Sequence, residues 1–396
     1  MKKKLIVLCT VLCVLGAGFF LLHEKPKDEI TIVSGGDLLI SESVLEASTD
    51  ENGNYSFDDI FREADDYIVE ADCAMINLET SIGGDIVEYQ GFPRFNTPES
   101  VLDAAKAAGF DVFLTASNHS YDLGYDGMIN RLNELEERDL QYVGTRKDGA
   151  DKLHKVIDVD GFKIGVLNYT KETAASTKDQ ILLNVILGSE PGKYSDMIEV
   201  EEKAEDLIAR FNYDYLDEFY DVMEEDIDGL YQDGAEIIVA YPHWGSEYYI
   251  EPREEDRAIA QKMCDLGVDI IVGGHPHVVQ PTEVLKSEIS GKETICLYSM
   301  GNFVSSMNRN QGKRNGDYVE DGALFSFTIK RNDDGIAEVA SADVLPLWVQ
   351  NEDGKYVVIP LDPENKVEGW GEDHENSYQR TMGLVGEGLE AFRTVE

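Results

Sequence analysis

Two histidines, His275 and His277, sit two residues apart in Gly273-Gly274-His275-Pro276-His277-Val278-Val279-Gln280-Pro281, straight after the apolar run Val268 to Val272. Glycine lets a backbone turn sharply and approach a ligand closely, and proline restricts itself and its predecessor, so a stiff loop is expected. An imidazole pair in a stiff turn at a strand end is a natural metal-binding arrangement. Taken alone, such a loop is more often just a hydrogen-bonded turn. Convergence with other segments favours metal. Asp37 follows the strand-like run Glu29 to Gly36, and Glu79 follows Asp72 to Ile76 through Asn77. Ser117-Asn118-His119 follows Phe110 to Thr115, and Pro242-His243-Trp244-Gly245 follows Glu236 to Ala240. Of seven histidines in the chain, four fall in these loops. Oxygen and imidazole donors without thiolate suit Zn, Mn, Fe or Co. Two such ions bridged by a carboxylate can hold a phosphoryl oxygen, activate water at neutral pH and stabilise an in-line displacement. A histidine beside them can protonate the leaving oxygen. Asn118 offers a neutral oxygen ligand and His119 follows it directly, so the pair can split the two roles. Asp122 can orient His119 or cap a helix.

One repeated unit must position these residues. Helix, glycine, buried strand and histidine recur three times: Val101 to Ala108, Gly109 and His119; Asp221 to Asp233, Gly234 and His243; Glu254 to Leu266, Gly267 and His275. Near-continuous apolar strands preceded by helices predict an α/β sheet covered on its faces. Ligands bind such sheets at the carboxyl ends of the strands, which gathers the rim residues on one edge. A further helix is expected over Phe57 to Glu70, from the spacing of Ile60, Phe61, Ala64 and Ile68. His154 to Val159 and Phe162 to Asn168 predict a hairpin around Asp160-Gly161. Residues 170–232 form an acidic, helix-rich insertion that is either a lid over the site or a decorative cap. Asn308 to Asp321 is polar and glycine-rich, as a loop is. Ala323 to Lys330 and Ile336 to Val344 alternate as closing antiparallel strands, and the segment from 351 to 396 is expected to be a peripheral tail.

Acidic residues outnumber basic ones 78 to 34, for a formal charge of −44. Such a chain repels nucleic acid and anionic membrane surfaces, so neither is expected as a general partner. Three lysines precede eighteen uncharged residues, Leu5 to Leu22, which match a secretory signal or a retained single-pass anchor with the body outside the cytoplasm. Residues 1–29 are then anchor and stalk. Beyond that leader, Cys73, Cys264 and Cys296 give no disulfide framework and are expected to be buried thiols.

Six segments together carry a family resemblance: Asp37, Asn77-Leu78-Glu79, Ser117-Asn118-His119, His243-Trp244-Gly245-Ser246-Glu247, Gly274 to Pro281, and Tyr298-Ser299-Met300-Gly301-Asn302-Phe303. The chain resembles the CapA-type poly-γ-glutamate (capsule) biosynthesis proteins, a family similar to the calcineurin-like metallophosphoesterases. The resemblance implies a four-layer α/β/β/α sandwich over residues 30–350 with a dinuclear site at the sheet edge. It implies Asp37, Glu79 and His277 on one divalent ion, and Glu79, Asn118, His243 and His275 on the other, with His119 as general acid. Asn77, Asp122, Trp244, Glu247 and Asn302 are implied as supporting or substrate-facing residues, with packing an alternative for Trp244. The wider phosphoesterase pattern has a histidine two residues after the first aspartate; here that position is Leu39, which leaves one ion a ligand short.

Two functions follow as expectations. One is a membrane-anchored, extracytoplasmic, metal-dependent phosphoesterase-type hydrolase of capsule production, working beside the membrane subunits of a poly-γ-glutamate synthase. The other is a non-catalytic assembly or export subunit that keeps the fold. A secreted nucleotidase is a weaker third, because no base-stacking domain is evident.

Overall fold

The computed structural model describes residues 27–187, 194–311 and 314–393; the leader expected at residues 5–22 lies outside them. The chain opens with β1 (Glu29–Leu38), the short helices α1 (Glu42–Ala47), α2 (Asp58–Phe61) and α3 (Asp65–Val69), and β2 (Cys73–Leu78). It continues through α4 (Ser100–Ala107), β3 (Val112–Leu114), α5 (Gly124–Glu137) and β4 (Gln141–Val143). A hairpin of β5 (Lys155–Val159) and β6 (Phe162–Lys171) follows, then a second of β7 (Leu182–Leu187) and β8 (Tyr194–Glu199), and β9 (Arg210–Phe211). Next come α6 (Leu216–Gln232), β10 (Ile237–His243), α7 (Glu254–Asp265), β11 (Ile270–Val272), β12 (Thr282–Lys286), β13 (Glu293–Leu297) and β14 (Asn302–Val304). The described chain closes with β15 (Asp321–Arg331), β16 (Ala337–Glu352), β17 (Lys355–Pro360) and α8 (Glu372–Arg393).

Two sheets face each other. The first runs β17-β16-β15-β1-β2-β3-β4, with β14 beside the end of β1; the second runs β12-β13-β11-β10-β6-β5, with β9 beside β6. Strand alternation explains why both sheets are buried on both faces. In β2, Cys73 and Met75 point between the sheets while Ala74, Ile76 and Leu78 meet α1 to α5 outside. In β10, Ile237, Val239 and Tyr241 point between the sheets while Ile238 and Ala240 meet α6 and α7. Helix, sheet, sheet, helix: the fold is an α/β/β/α sandwich, and the apolar runs are continuous because each strand is covered twice.

The three repeated units form as expected, with Gly109 (φ 104°), Gly234 (φ 92°) and Gly267 (φ 97°) in the left-handed conformation that ends a helix. The three units are divided between the two sheets. The first unit feeds β3 in one sheet and the other two feed β10 and β11 in the other sheet. The rim therefore lies where two sheets' carboxyl ends meet. Asp160 (φ 50°) and Gly161 (φ 92°) make the two-residue turn of the β5–β6 hairpin.

Three boundaries are corrected by the structure. The helix expected over Phe57 to Glu70 is broken into α2 and α3, with Ala64 N–H bonded back to Phe61 O at 2.8 Å. Like charges four residues apart, Asp59 with Glu63 and Asp66 with Glu70, disfavour one continuous helix. The segment expected as a helical insertion at 170–232 is mixed. Its second half, α6, is a layer helix of the sandwich, burying Phe219, Met223, Ile227 and Leu230 on the second sheet, while its first half supplies the β7–β8 hairpin. The tail expected to be peripheral adds β17 to the first sheet, and α8 inserts Val385 and Leu389 into the core between the sheets. α8 is pinned at Asp321, a buried carboxylate that accepts from Arg380 Nε and Nη2, both at 2.7 Å, and from Ser377 Oγ at 2.6 Å.

Removing one partner of a buried ion pair leaves an uncompensated charge, which costs about 3–5 kcal/mol. Arg380→Leu is therefore expected to destabilise the protein by about that amount, read from denaturant unfolding, whereas Arg393→Leu, at a solvent-exposed pair with Asp343, is expected to cost under about 1 kcal/mol.

Candidate metal centre

Six segments deliver their side chains to one buried spot. Parallel pairing aligns Asp37 with Asn77 on one side and with Asn302 on the other, so β1, β2 and β14 end level. Pairing of β6 with β10 aligns Thr170 with His243, and a bridge joins His243 to Gly274. Asp37, Glu79, His119, His243, His275 and His277 are all buried, and Asn118 is half-buried.

Among the described residues two groups can each hold a metal ion: Glu79, His243 and His275, and Asp37, Glu79 and His277, with donor atoms within 4.8 Å of one another in each. Glu79 belongs to both. Asn118 joins the first group, since its Oδ1 lies 2.8 Å from His243 Nε2, which is itself 3.1 Å from Glu79 Oε1. His277 Nδ1 lies 3.5 Å from Asp37 Oδ2 and 3.8 Å from Glu79 Oε2.

The donor set fits divalent cations on a specific observation. Both oxygens of Glu79 and Nδ1 of His275 are buried without any hydrogen bond, a rare and costly state for polar groups away from water. Burial, then the neighbouring Asp37, pushes the Glu79 carboxyl well above its usual range. Burial pushes His243 down to about 3, and burial, then the charge of Lys171, holds His275 well below its usual value. Both are therefore neutral imidazoles, the form that binds metal. Burial would lower His277 too, but Glu79 and Asp37 override it and raise that ring to about 10. Without metal, one acidic half of the centre is thus neutralised by its own histidine.

The histidine loop reaches the spot by strain and by closeness. The left-handed conformations in this loop belong not to Gly273 or Gly274 but to His275 (φ 91°) and His277 (φ 56°). Each such non-glycine residue costs about 1–3 kcal/mol and clusters at functional sites. The glycines serve close approach. A Cβ on Gly273 would lie 1.9 Å from Tyr298 O, and one on Gly274 would lie 2.7 Å from Asp37 Oδ1.

His119 stands beside this cluster, its ring edge-on to Phe95 with centroids 4.6 Å apart. Its Nδ1 is 2.8 Å from Asp122 Oδ2. Burial opposes the charged ring, but Asp122 outweighs it and raises the histidine above its usual value, which suits a proton donor.

The supporting residues divide. Asn77 donates Nδ2–H to Asp37 Oδ1 at 2.7 Å and lies 3.2 Å from His243 Nδ1. Asn302 Oδ1 sits 3.0 Å from His277 Nδ1, and Glu247 is exposed at the mouth. Trp244 does not face the rim. It is fully buried against Tyr298, with ring centroids 5.8 Å apart, and donates to Tyr298 O at 2.9 Å, so packing explains it. Sequence reasoning missed Lys171 and Phe95. Lys171 ends β6 one residue past the register partner of His243 and donates to Gly245 O at 2.9 Å; burial pushes its ammonium down to about 8. Ending that strand at Asn168 left Lys171 off the rim; extending it three residues would have found it.

Two outcomes follow. Metal uptake must expel the proton held by His277, so it is expected to release protons at neutral pH and to tighten as pH rises toward 10, measured in weakly buffered titrations with Mn or Zn. Gly274→Ala is expected to lower bound metal at least about tenfold in affinity by displacing Asp37, read by equilibrium dialysis, with the melting temperature showing that the protein stays folded.

The sequence model of the bacterial capsule synthesis protein family PGA_cap matches residues 31–307. The chain is 29% identical over 352 residues to the capsule biosynthesis protein CapA of Bacillus anthracis, covering 87% of this chain and 73% of that one. It is 26% identical over 331 residues to the PGA biosynthesis protein CapA of Bacillus subtilis, covering 81% and 75%. Among solved structures it is similar to the NAD nucleotidase of Haemophilus influenzae at a TM-score of 0.45 and 15% identity, spanning 90% of this chain and 63% of that one. The match of one family over most of the sandwich, including every segment that builds the centre, makes this chain a member of the bacterial capsule synthesis protein family PGA_cap.

Proposed function

We propose that the chain is a metal-dependent phosphoesterase-type hydrolase that serves capsule or poly-γ-glutamate production. The observation that carries this reading is the Glu79 carboxylate, buried without a hydrogen bond between two sets of metal-binding side chains, with the His119–Asp122 pair alongside. Asp37, Glu79 and His277 would hold one divalent ion; Glu79, Asn118, His243 and His275 would hold the other. Two bound ions supply Lewis acidity for displacement at phosphorus. The remaining work belongs to the chain. Asp122 keeps the Nδ1 side of His119 occupied, so the proton given to the leaving oxygen comes from Nε2. Lys171 adds a positive charge for an anionic substrate in a chain that is otherwise strongly acidic. Asp37, Glu79, His119, His243, His275 and His277 are buried, and low dielectric strengthens the interactions among them.

The proposal extends to place and company. The lysines and apolar residues before Leu22 support a membrane-anchored body outside the cytoplasm, beside the membrane subunits of a polymer synthase. Among the described residues no helix is long and apolar enough to cross a membrane, and the leader lies outside them. Names such as probable polyglutamine synthesis accessory protein, carried by a Mycobacterium tuberculosis relative, support a role in polymer synthesis. A second reading, a non-catalytic assembly or export subunit, is favoured by Leu39. It stands where the wider pattern has a histidine, and it is buried with its N–H bonded to Val304 O at 3.1 Å.

The purified protein, loaded with Mn or Zn, is expected to hydrolyse aryl phosphomonoesters or diesters. His275→Ala is expected to lose metal and nearly all activity, and His119→Ala to keep metal while losing about 10²- to 10⁴-fold in kcat. Activity indifferent to both changes, or no hydrolysis by the metal-loaded protein, would contradict the enzymatic reading. Polymer made normally by cells carrying folded His119→Ala would favour the assembly subunit.

A further inference from the structure

The β7–β8 hairpin packs its base against the segment that follows His119, where Ile181, Leu183, Ile198 and Val200 bury against Tyr121 and Met128. Between Leu183 and Val185 the pairing register slips, and there Asn184 takes a left-handed φ of 55°. Its side chain is buried, only 4% of the residue being exposed. Asn184 Nδ2 donates to Asp122 Oδ1 at 2.7 Å and to Pro93 O at 2.7 Å. Both partners only accept, so the orientation of the amide is fixed: its nitrogen must face them. The other oxygen, Asp122 Oδ2, accepts from Phe95 N at 2.9 Å and faces His119 Nδ1 at 2.8 Å.

We propose that Asn184 is a positioning residue for His119, acting through Asp122. A carboxylate held at only one oxygen can rotate and divide that oxygen among several donors. Occupying Oδ1 from a separate hairpin reserves Oδ2 for the histidine and for Phe95. His119 is then kept with its proton on Nδ1 and its Nε2 turned to the rim, because the hydrogen bond at one ring nitrogen sets the state of the other. The backbone geometry supports a dedicated role. A register slip and a left-handed residue are what aim this one side chain out of an ordinary hairpin, and asparagine tolerates that conformation well. The catalytic meaning of the contact rests on the hydrolase reading; the contact itself does not.

The test is proton NMR of the full chain with ¹⁵N-labelled histidine, identifying the His119 Nδ1–H resonance by its loss in His119→Gln. In the parent protein this proton is expected as a resolved low-field signal that exchanges slowly with water. Asn184→Gly keeps the left-handed backbone and deletes the donor, while Asn184→Asp sets a carboxylate against Asp122. Both are expected to speed exchange of the Nδ1 proton at least about tenfold or to erase its signal. Should Asn184→Gly fail to fold, Asn184→Asp, which tolerates the same backbone, carries the test. An unchanged Nδ1–H signal and exchange rate in a folded variant would overturn the proposal, and a lowered melting temperature with that signal intact would assign Asn184 a structural role only. Where the protein hydrolyses phosphate esters, the variants are expected to lose rate on esters with poor leaving groups and keep it on good ones. An inert parent protein would remove the hydrolase reading and leave the NMR result standing.

Discussion

A carboxylate buried with no hydrogen bond to either oxygen governs the construction of this protein's rim. Taking an ionised carboxylate out of water costs several kcal/mol unless positive charge or donors replace the solvent. Around Glu79 the nearest groups are a second buried carboxylate, Asp37, and the rings of His243 and His277. Two of the histidines nearby are held neutral and one is held charged. This arrangement is poor as a salt bridge and good as a cation receptor. His277 satisfies one side in the absence of metal, while the imidazoles on the other side keep their lone pairs free.

Keeping six donors around one buried point constrains the backbone around it. The ends of β1, β2, β6, β10 and β14 must be level, which the parallel registers at Asp37, Asn77, Asn302, Thr170 and His243 provide. The loop after β11 must come within contact distance of both Tyr298 and Asp37, which only glycines at 273 and 274 permit. Two histidines then carry the left-handed strain. The acidic exterior acts in the same direction: a chain of charge −44 concentrates cations and repels anions. Lys171 brings positive charge to the rim within that acidic field.

Much of this was legible in the chain because each signal is local. Apolar runs, helix-ending glycines and the Asp160-Gly161 turn declare themselves within a few residues, and histidines at strand ends mark the rim. Other features depend on contacts between distant segments. Nothing near His275 in sequence says that its glycines serve packing while the ring-bearing residue takes the strained conformation; Tyr298 and Asp37 decide that. Trp244 sits in a rim motif, yet its indole is drawn into the core by Tyr298 O. The division of the three repeated units between two sheets follows from pairing partners that periodicity does not encode. The stretch from 351 onward reads as peripheral, but an amphipathic stripe through Val385 and Leu389 and the Arg380–Asp321 pair tie it into the core.

The central claim is that two cations share Glu79. Anomalous diffraction from crystals grown with Mn tests it most directly. The account predicts two strong peaks flanking the Glu79 carboxylate, one against Asp37 and His277 and the other against Asn118, His243 and His275. Peaks absent from Glu79, or a single peak with His277 still paired to Asp37, would contradict it.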